Sequence, residues 1–286
     1  MSYLFLSIIC SVSVGIILKI VRKNKNFAFF QMITWNYFFA GSLSYWAYKP
    51  EFNLAEATIP LVLFVSLILL LPSVFLLQAN SIKYMGIVRT DIAQRLSLII
   101  SLSAAFFIFK EPFSLLKIAG LLTGLISIFL ILSKGKTELV SYKWQYPVIV
   151  LISFGVIDVL FKQVALYREF SYTSSLFIIF SGAFIISVLL VLFQIIVQKQ
   201  KFNIQNMYWG ACLGLFNFGN ILFYLKAHQV LHDNPSTVFA CMNFGVIILG
   251  SMVGILFFKE KMSKLNYLGL ALALSAILII TVASGT

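Results

Sequence analysis

Phe109-Lys110-Glu111-Pro112-Phe113-Ser114-Leu115-Leu116-Lys117-Ile118-Ala119-Gly120-Leu121 occurs a second time in the chain. The second copy is Phe258-Lys259-Glu260-Lys261-Met262-Ser263-Lys264-Leu265-Asn266-Tyr267-Leu268-Gly269-Leu270, aligned without a gap at an offset of 258 − 109 = 149 residues. In each copy an apolar run ends in Lys-Glu, a short polar joint carries a serine, and a new apolar run with an early glycine begins. A repeat at half the chain length marks an internal duplication. Its first unit spans residues 1–136 and its second 137–286.

Around this stretch the chain is strongly apolar. Of 286 residues 61% are hydrophobic and 10% charged, against about half and a quarter in soluble domains. The mean hydropathy is +1.00. The formal charge of +12 falls in short Lys/Arg clusters between apolar runs, which suits lipid headgroups and excludes a continuous groove for nucleic acid. Cys10, Cys212 and Cys241 lie far apart inside apolar runs and imply neither a disulfide framework nor a metal site. Met1-Ser2-Tyr3 provides no basic leader, so the first apolar run reads as a retained span.

A helix needs about 20 apolar residues to cross the bilayer. Charge-free stretches predict spans at Ser2–Ile20, Phe29–Tyr48, most of Ala57–Ile82, Gly86–Phe109 and Phe113–Ser133 in the first half. The second half predicts Tyr146–Tyr167, Tyr172–Val197, Met207–Ala227, Pro235–Phe258 and Leu265–Val282. The expected fold is thus an all-α polytopic membrane protein of ten transmembrane helices. Five spans per unit is odd, so the second unit inserts upside down, and such inverted repeats bracket a site near the midplane. Pro72 is expected to kink its span, and Asp233-Asn234-Pro235 to form a capped helix start. The pairs Gly120/Gly124, Gly210/Gly214 and Gly250/Gly254 allow close helix approach.

Ionised residues inside a span cost roughly 2.5 to 3.5 kcal/mol on insertion scales, so they normally face a bundle interior or watery cavity. Two spans carry them well inside, each as an i, i+4 pair: Asp91 with Arg95, and Asp158 with Lys162. Each pair also has a purely local reading, in which the acid neutralises its neighbour along one helix. Asp158, near the middle of its span, is the stronger site candidate. Amides add Gln94 and its counterpart Asn243 at the same offset, and Asn217 with Asn220 on one helix face. His228, His232 and Asp233 lack a fourth ligand nearby and read as a loop or interfacial group. No phosphate loop or catalytic triad pattern occurs, so no cofactor and no enzymatic reaction is expected.

The repeated stretch resembles the drug/metabolite transporter superfamily, and within it the ten-span EamA-type exporters. Glu111 with Ser114 and Gly120, and Glu260 with Ser263 and Gly269, stand on the pattern those proteins share at the end of the fourth span. Ala79-Asn80-Ser81-Ile82-Lys83-Tyr84 is similar to their segment after the third span. Gly155 followed by Lys162 is similar to their first-span pattern, which Lys19 matches in the first half without the preceding Trp-Gly. The resemblance implies a helical basket whose cavity is lined by spans one, three, four, six, eight and nine. Asp91, Gln94, Arg95, Asp158, Asn217 and Asn243 would face that cavity, while Glu111 and Glu260 would be structural joints. The function implied is export of small polar metabolites, amino acids among them, across a bacterial inner membrane, by a monomer or homodimer. A membrane-embedded scaffold or sensor, or a lipid-modifying enzyme, are the alternative readings.

Two arguments about orientation disagree. Loops after odd-numbered spans hold most of the basic residues, including Arg22, Lys23, Lys25, Lys134, Lys136, Lys199 and Lys201, while the others offer chiefly Lys49, Lys117 and Arg168. That distribution places the odd loops in the cytoplasm and both termini outside, whereas the resemblance implies termini inside. A reporter fused after Thr286 separates the two: fluorescence of a protein that matures only in the cytosol puts the termini inside, and alkaline phosphatase activity puts them outside.

Overall fold

The outward surface of the chain is built from side chains that soluble proteins bury. Leu115, Val62, Trp46, Phe257 and Ile196 are each more than 70% exposed, which is the pattern of helices whose outer faces meet lipid. In the computed structural model, residues 1–21, 28–50, 60–85, 87–132, 143–167, 171–259 and 262–285 are described. Every regular element among them is an α-helix, as the continuous apolar runs predict.

The first half contains α1 (Ser2–Val21), α2 (Phe29–Tyr48), α3 (Leu61–Met85), α4 (Ile87–Leu96), α5 (Leu98–Phe107) and α6 (Leu115–Leu132). The second contains α7 (Gln145–Leu166), α8 (Tyr172–Val197), α9 (Gln205–Val230), α10 (Pro235–Phe258) and α11 (Lys264–Gly285). Six of these, α1, α3, α7, α8, α10 and α11, are long and apolar enough to cross a bilayer, which makes this a multi-pass integral membrane protein. The expected fourth span is two helices. At Ser97 the hydroxyl turns back onto the Gln94 carbonyl at 2.6 Å, and a tight bond from the Ile100 amide to the Ser97 carbonyl at 2.9 Å restarts the chain as α5. Pro72 lies inside α3 without ending it. The expected junction at residues 136/137 and the motif residue Glu260 lie outside the described residues.

The two copies of the repeated stretch have matching local geometry. Lys110 and Lys259 both take the left-handed conformation, with φ of 55° and 52°. Ser114 then caps α6 by accepting from the Lys117 amide at 3.2 Å, and Ser263 caps α11 by accepting from the Asn266 amide at 3.2 Å. α6 and α11 run antiparallel against each other. A Cβ at Gly120 would lie 2.8 Å from Ile280, and one at Gly269 would lie 2.9 Å from the Ile131 backbone nitrogen. The partners correspond as the glycines do, since 280 − 131 = 269 − 120 = 149. Asn266 completes the seam by donating to the Leu130 and Ile131 carbonyls at 3.0 and 2.7 Å, satisfying the end of α6.

The other glycine pairs divide. Gly124 faces the Phe244 ring, and Gly210 and Gly214 let α9 reach the backbone of α2 at Met32 and Asn36. Gly250, expected to be part of a packing pair, meets nothing within 4 Å of an added Cβ. It lies where the helix surface is open.

These contacts give a paired prediction. Gly269→Leu meets backbone that cannot rotate away, so thermal unfolding in detergent should show a loss of about 1–3 kcal/mol, the usual range for overpacking. Gly250→Ala should stay within about 0.5 kcal/mol of the parent protein.

Candidate functional site

Asp158 lies in α7 and is the point where three other helices meet. Its Oδ2 accepts from the Ser101 hydroxyl on α5 at 3.0 Å, and its Oδ1 accepts from the Tyr224 hydroxyl on α9 at 3.1 Å. The Arg95 guanidinium on α4 is attracted to both Asp158 and Asp91. Gly155 makes this possible. A Cβ there would lie 2.6 Å from Ile100 Cβ, so only glycine lets α5 approach α7 one turn before Asp158 and bring Ser101 within reach. Gln94, adjacent to Arg95, accepts from Gln78 of α3 at 2.9 Å. The cluster therefore holds two acids, one guanidinium and two hydroxyls.

Lys162 is not part of it. One turn beyond Asp158, it is fully buried and its ammonium donates to the carbonyls of His232 at 2.8 Å and His228 at 3.4 Å. It satisfies the orphan carbonyls at the end of α9, so the i, i+4 neighbour of Asp158 serves a different helix. His228 is buried with its ring 4.7 Å from that of Tyr224 and 4.9 Å from that of Phe239, while His232 pairs with Asp233 at 3.0 Å on the surface.

The amides go mostly to helix seams. Asn217 donates to Asn36 of α2 at 3.2 Å, beside the close approach at Gly210 and Gly214. Asn220 accepts from Ser7 of α1 at 2.9 Å. Asn243 bonds back to the Phe239 carbonyl of its own helix at 3.1 Å. Gln94 and Asn243, paired in sequence by the repeat, therefore take different partners.

The repeated motif itself joins the halves. Glu111 is buried and accepts from the Ser236 amide at 2.8 Å and its hydroxyl at 2.7 Å, capping the start of α10. Asn234 occupies the cap position, as expected, but makes no capping bond; its side chain accepts from Lys117 at 2.8 Å. Lys117 is buried against Glu111, so it is a partner in this clamp and not a loop charge available to orient the chain. The motif phenylalanines lie under lysines from opposite halves, Lys162 at 5.9 Å from the Phe109 centroid and Lys19 at 3.9 Å from that of Phe258.

Ser101, Asn36 and Lys117 were not singled out by their sequence context. A serine in an apolar run carries no signal of its own. The one available hint was Tyr224, which falls four residues after Asn220 on the same helix face.

Lys162→Met leaves the His228 and His232 carbonyls without their donor. It should lower stability by about 1–3 kcal/mol in thermal unfolding, whereas a residue serving only substrate would leave unfolding unchanged.

Comparison with known proteins now bears on this arrangement. The profile of the EamA-like transporter family matches residues 1–133 and again residues 146–282. An uncharacterized protein of Haemophilus influenzae is 42% identical over 287 residues, covering 97% of this chain and 96% of that protein. A solved crystal structure with 13% sequence identity superposes with a TM-score of 0.74 over 99% of this chain and 96% of its own, which is a likeness of fold. With both halves matched by one transporter profile, the chain belongs to the EamA-like transporter family, a group of multi-pass membrane transporters within the drug/metabolite transporter superfamily.

Proposed function

We propose that this transporter exports small polar metabolites, with zwitterions such as amino acids as the leading class, by alternating access of two inverted five-helix units that together make ten crossings of the bacterial inner membrane. The observation that carries the reading is the setting of Asp158, a carboxylate deep within a span and held by side chains from both halves of the chain. A partly buried acid with hydrogen-bond partners on two other helices, one in each half, is sensitive to any motion of one half against the other.

In this scheme Asp158 opposes a substrate ammonium and Arg95 a carboxylate, each by charge-assisted hydrogen bonds. Asp91 holds Arg95 in place when the site is empty, since the guanidinium is attracted to both acids. Ser101 and Tyr224 orient the Asp158 carboxylate and make it a poor partner for Lys162. Support for the inverted units comes from the reciprocal seam of α6 with α11 and from the matched lysines at φ 55° and 52°. The Glu111–Lys117 clamp on α10 lies at the end of the bundle where α5 passes into α6, and would have to part for substrate to leave there.

Flux of amino acids from proteoliposomes tests the site. Asp158→Asn and Arg95→Gln each remove one charge-assisted bond, worth about 1.5–3 kcal/mol, so flux should fall about ten- to a hundredfold. Unchanged flux in both variants would overturn the assignment. If a proton carried on Asp158 is the coupling ion, the dependence of flux on an imposed pH gradient should disappear in Asp158→Asn.

A further inference from the structure

At the end of the bundle where α1 begins, a polar cluster lies apart from the Asp158 site. Lys226, one turn before the end of α9, holds its ammonium 5.5 Å from the ring centroid of Tyr3 and 5.9 Å from that of Tyr48. Tyr3 is in the first turn of α1 and is stacked on Phe223 at 6.5 Å. Tyr48 is the last residue of α2 and Tyr172 the first of α8, and the phenols of both lie close enough to act on the Lys226 charge. The cluster therefore joins four helices, two from each half.

Its chemistry is one-sided. An ammonium has only donors, so a phenol oxygen turned to it accepts and leaves that hydroxyl its own hydrogen to donate elsewhere. Among the described residues, the groups acting on Lys226 are the three phenols and no carboxylate. The result is a cation flanked by phenol hydroxyls that can donate, a set that matches an anionic oxygen. Lys49, exposed just past Tyr48, adds a second cation, and exposed Tyr45 and Trp46 on the same turn mark the depth as that of the membrane interface. The repeat does not copy the cluster, because the position 226 − 149 = 77 is a leucine.

We propose that Lys226, Tyr48 and Tyr172 form a binding site for the phosphate of an anionic phospholipid headgroup, in the leaflet at the end of the bundle where α1 begins. The headgroup completes the cation's coordination and ties α1, α2, α8 and α9 together at that end. A zwitterionic lipid brings its own ammonium towards Lys226 and Lys49 and is disfavoured.

Detergent-purified protein should be titrated with phosphatidylglycerol, phosphatidylethanolamine or inorganic phosphate, following bound lipid by native mass spectrometry and stability by thermal unfolding. Phosphatidylglycerol should remain bound and raise the unfolding temperature, with phosphatidylethanolamine far weaker. Lys226→Met should weaken phosphatidylglycerol binding about tenfold or more. Tyr48→Phe and Tyr172→Phe, which remove one donor each and keep the ring, should weaken it by a smaller factor, and Lys226→Arg should retain it. Equal phosphatidylglycerol binding by Lys226→Met and the parent protein would overturn the site. A Lys226-dependent shift with inorganic phosphate alone would overturn the lipid as its ligand in favour of free phosphate.

Discussion

A polar group inside a bilayer has no bulk water to turn to, so it must find its partner on a neighbouring helix. The buried Glu111 shows what that requirement does to this chain. Its carboxylate reaches from the joint between α5 and α6 to the first turn of α10, while Lys117 spans from Glu111 to Asn234. The first half thus supplies the cap that α10 of the second half lacks, and the counter-ion that holds it in place. Removing Glu111 would orphan the Ser236 amide and leave a buried ammonium without its acid, so the clamp fixes how the halves meet.

The same rule explains why the polar cluster at Asp158 does not follow the 149-residue offset. The glycine seam, the serine caps and the left-handed lysines recur at the 149-residue offset, and they are scaffold features. The charged residues around Asp158 do not recur. Asp158 corresponds to Ile9 and Arg95 to Phe244 at the same offset. A buried charge is tolerated only where donors converge, and Gly155 allows such convergence at one place by letting α5 close on α7. The polar centre is therefore off the symmetry of the frame that carries it.

Much of the frame was legible because it depends on periodic or repeated features. Apolar run length located the helices, and the Phe-Lys-Glu repeat fixed the register that the α6–α11 seam follows. Partnerships were less legible, because they depend on which helix faces which. Spacing alone pairs Asp158 with Lys162, yet Lys162 turns to the end of α9 and Asp158 to Ser101 and Tyr224. Asn217 and Asn220 share a face, but that face abuts α2 and α1 at helix seams. The break at Ser97 carries no glycine or proline to mark it, since it arises from a serine hydroxyl competing for a single carbonyl.

The central claim is that Asp158 belongs to a ligand site and is not merely a structural anchor between α5, α7 and α9. Ligand-induced stabilisation reads this most directly, because a compound that binds the folded state raises its apparent stability whatever the direction of transport. A panel of amino acids and related amines should be scanned by thermal unfolding against the parent protein and Asp158→Asn. The account predicts that one compound class raises the unfolding temperature of the parent protein and leaves that of Asp158→Asn unmoved. Equal stabilisation of both proteins, or of neither by any compound, would contradict it.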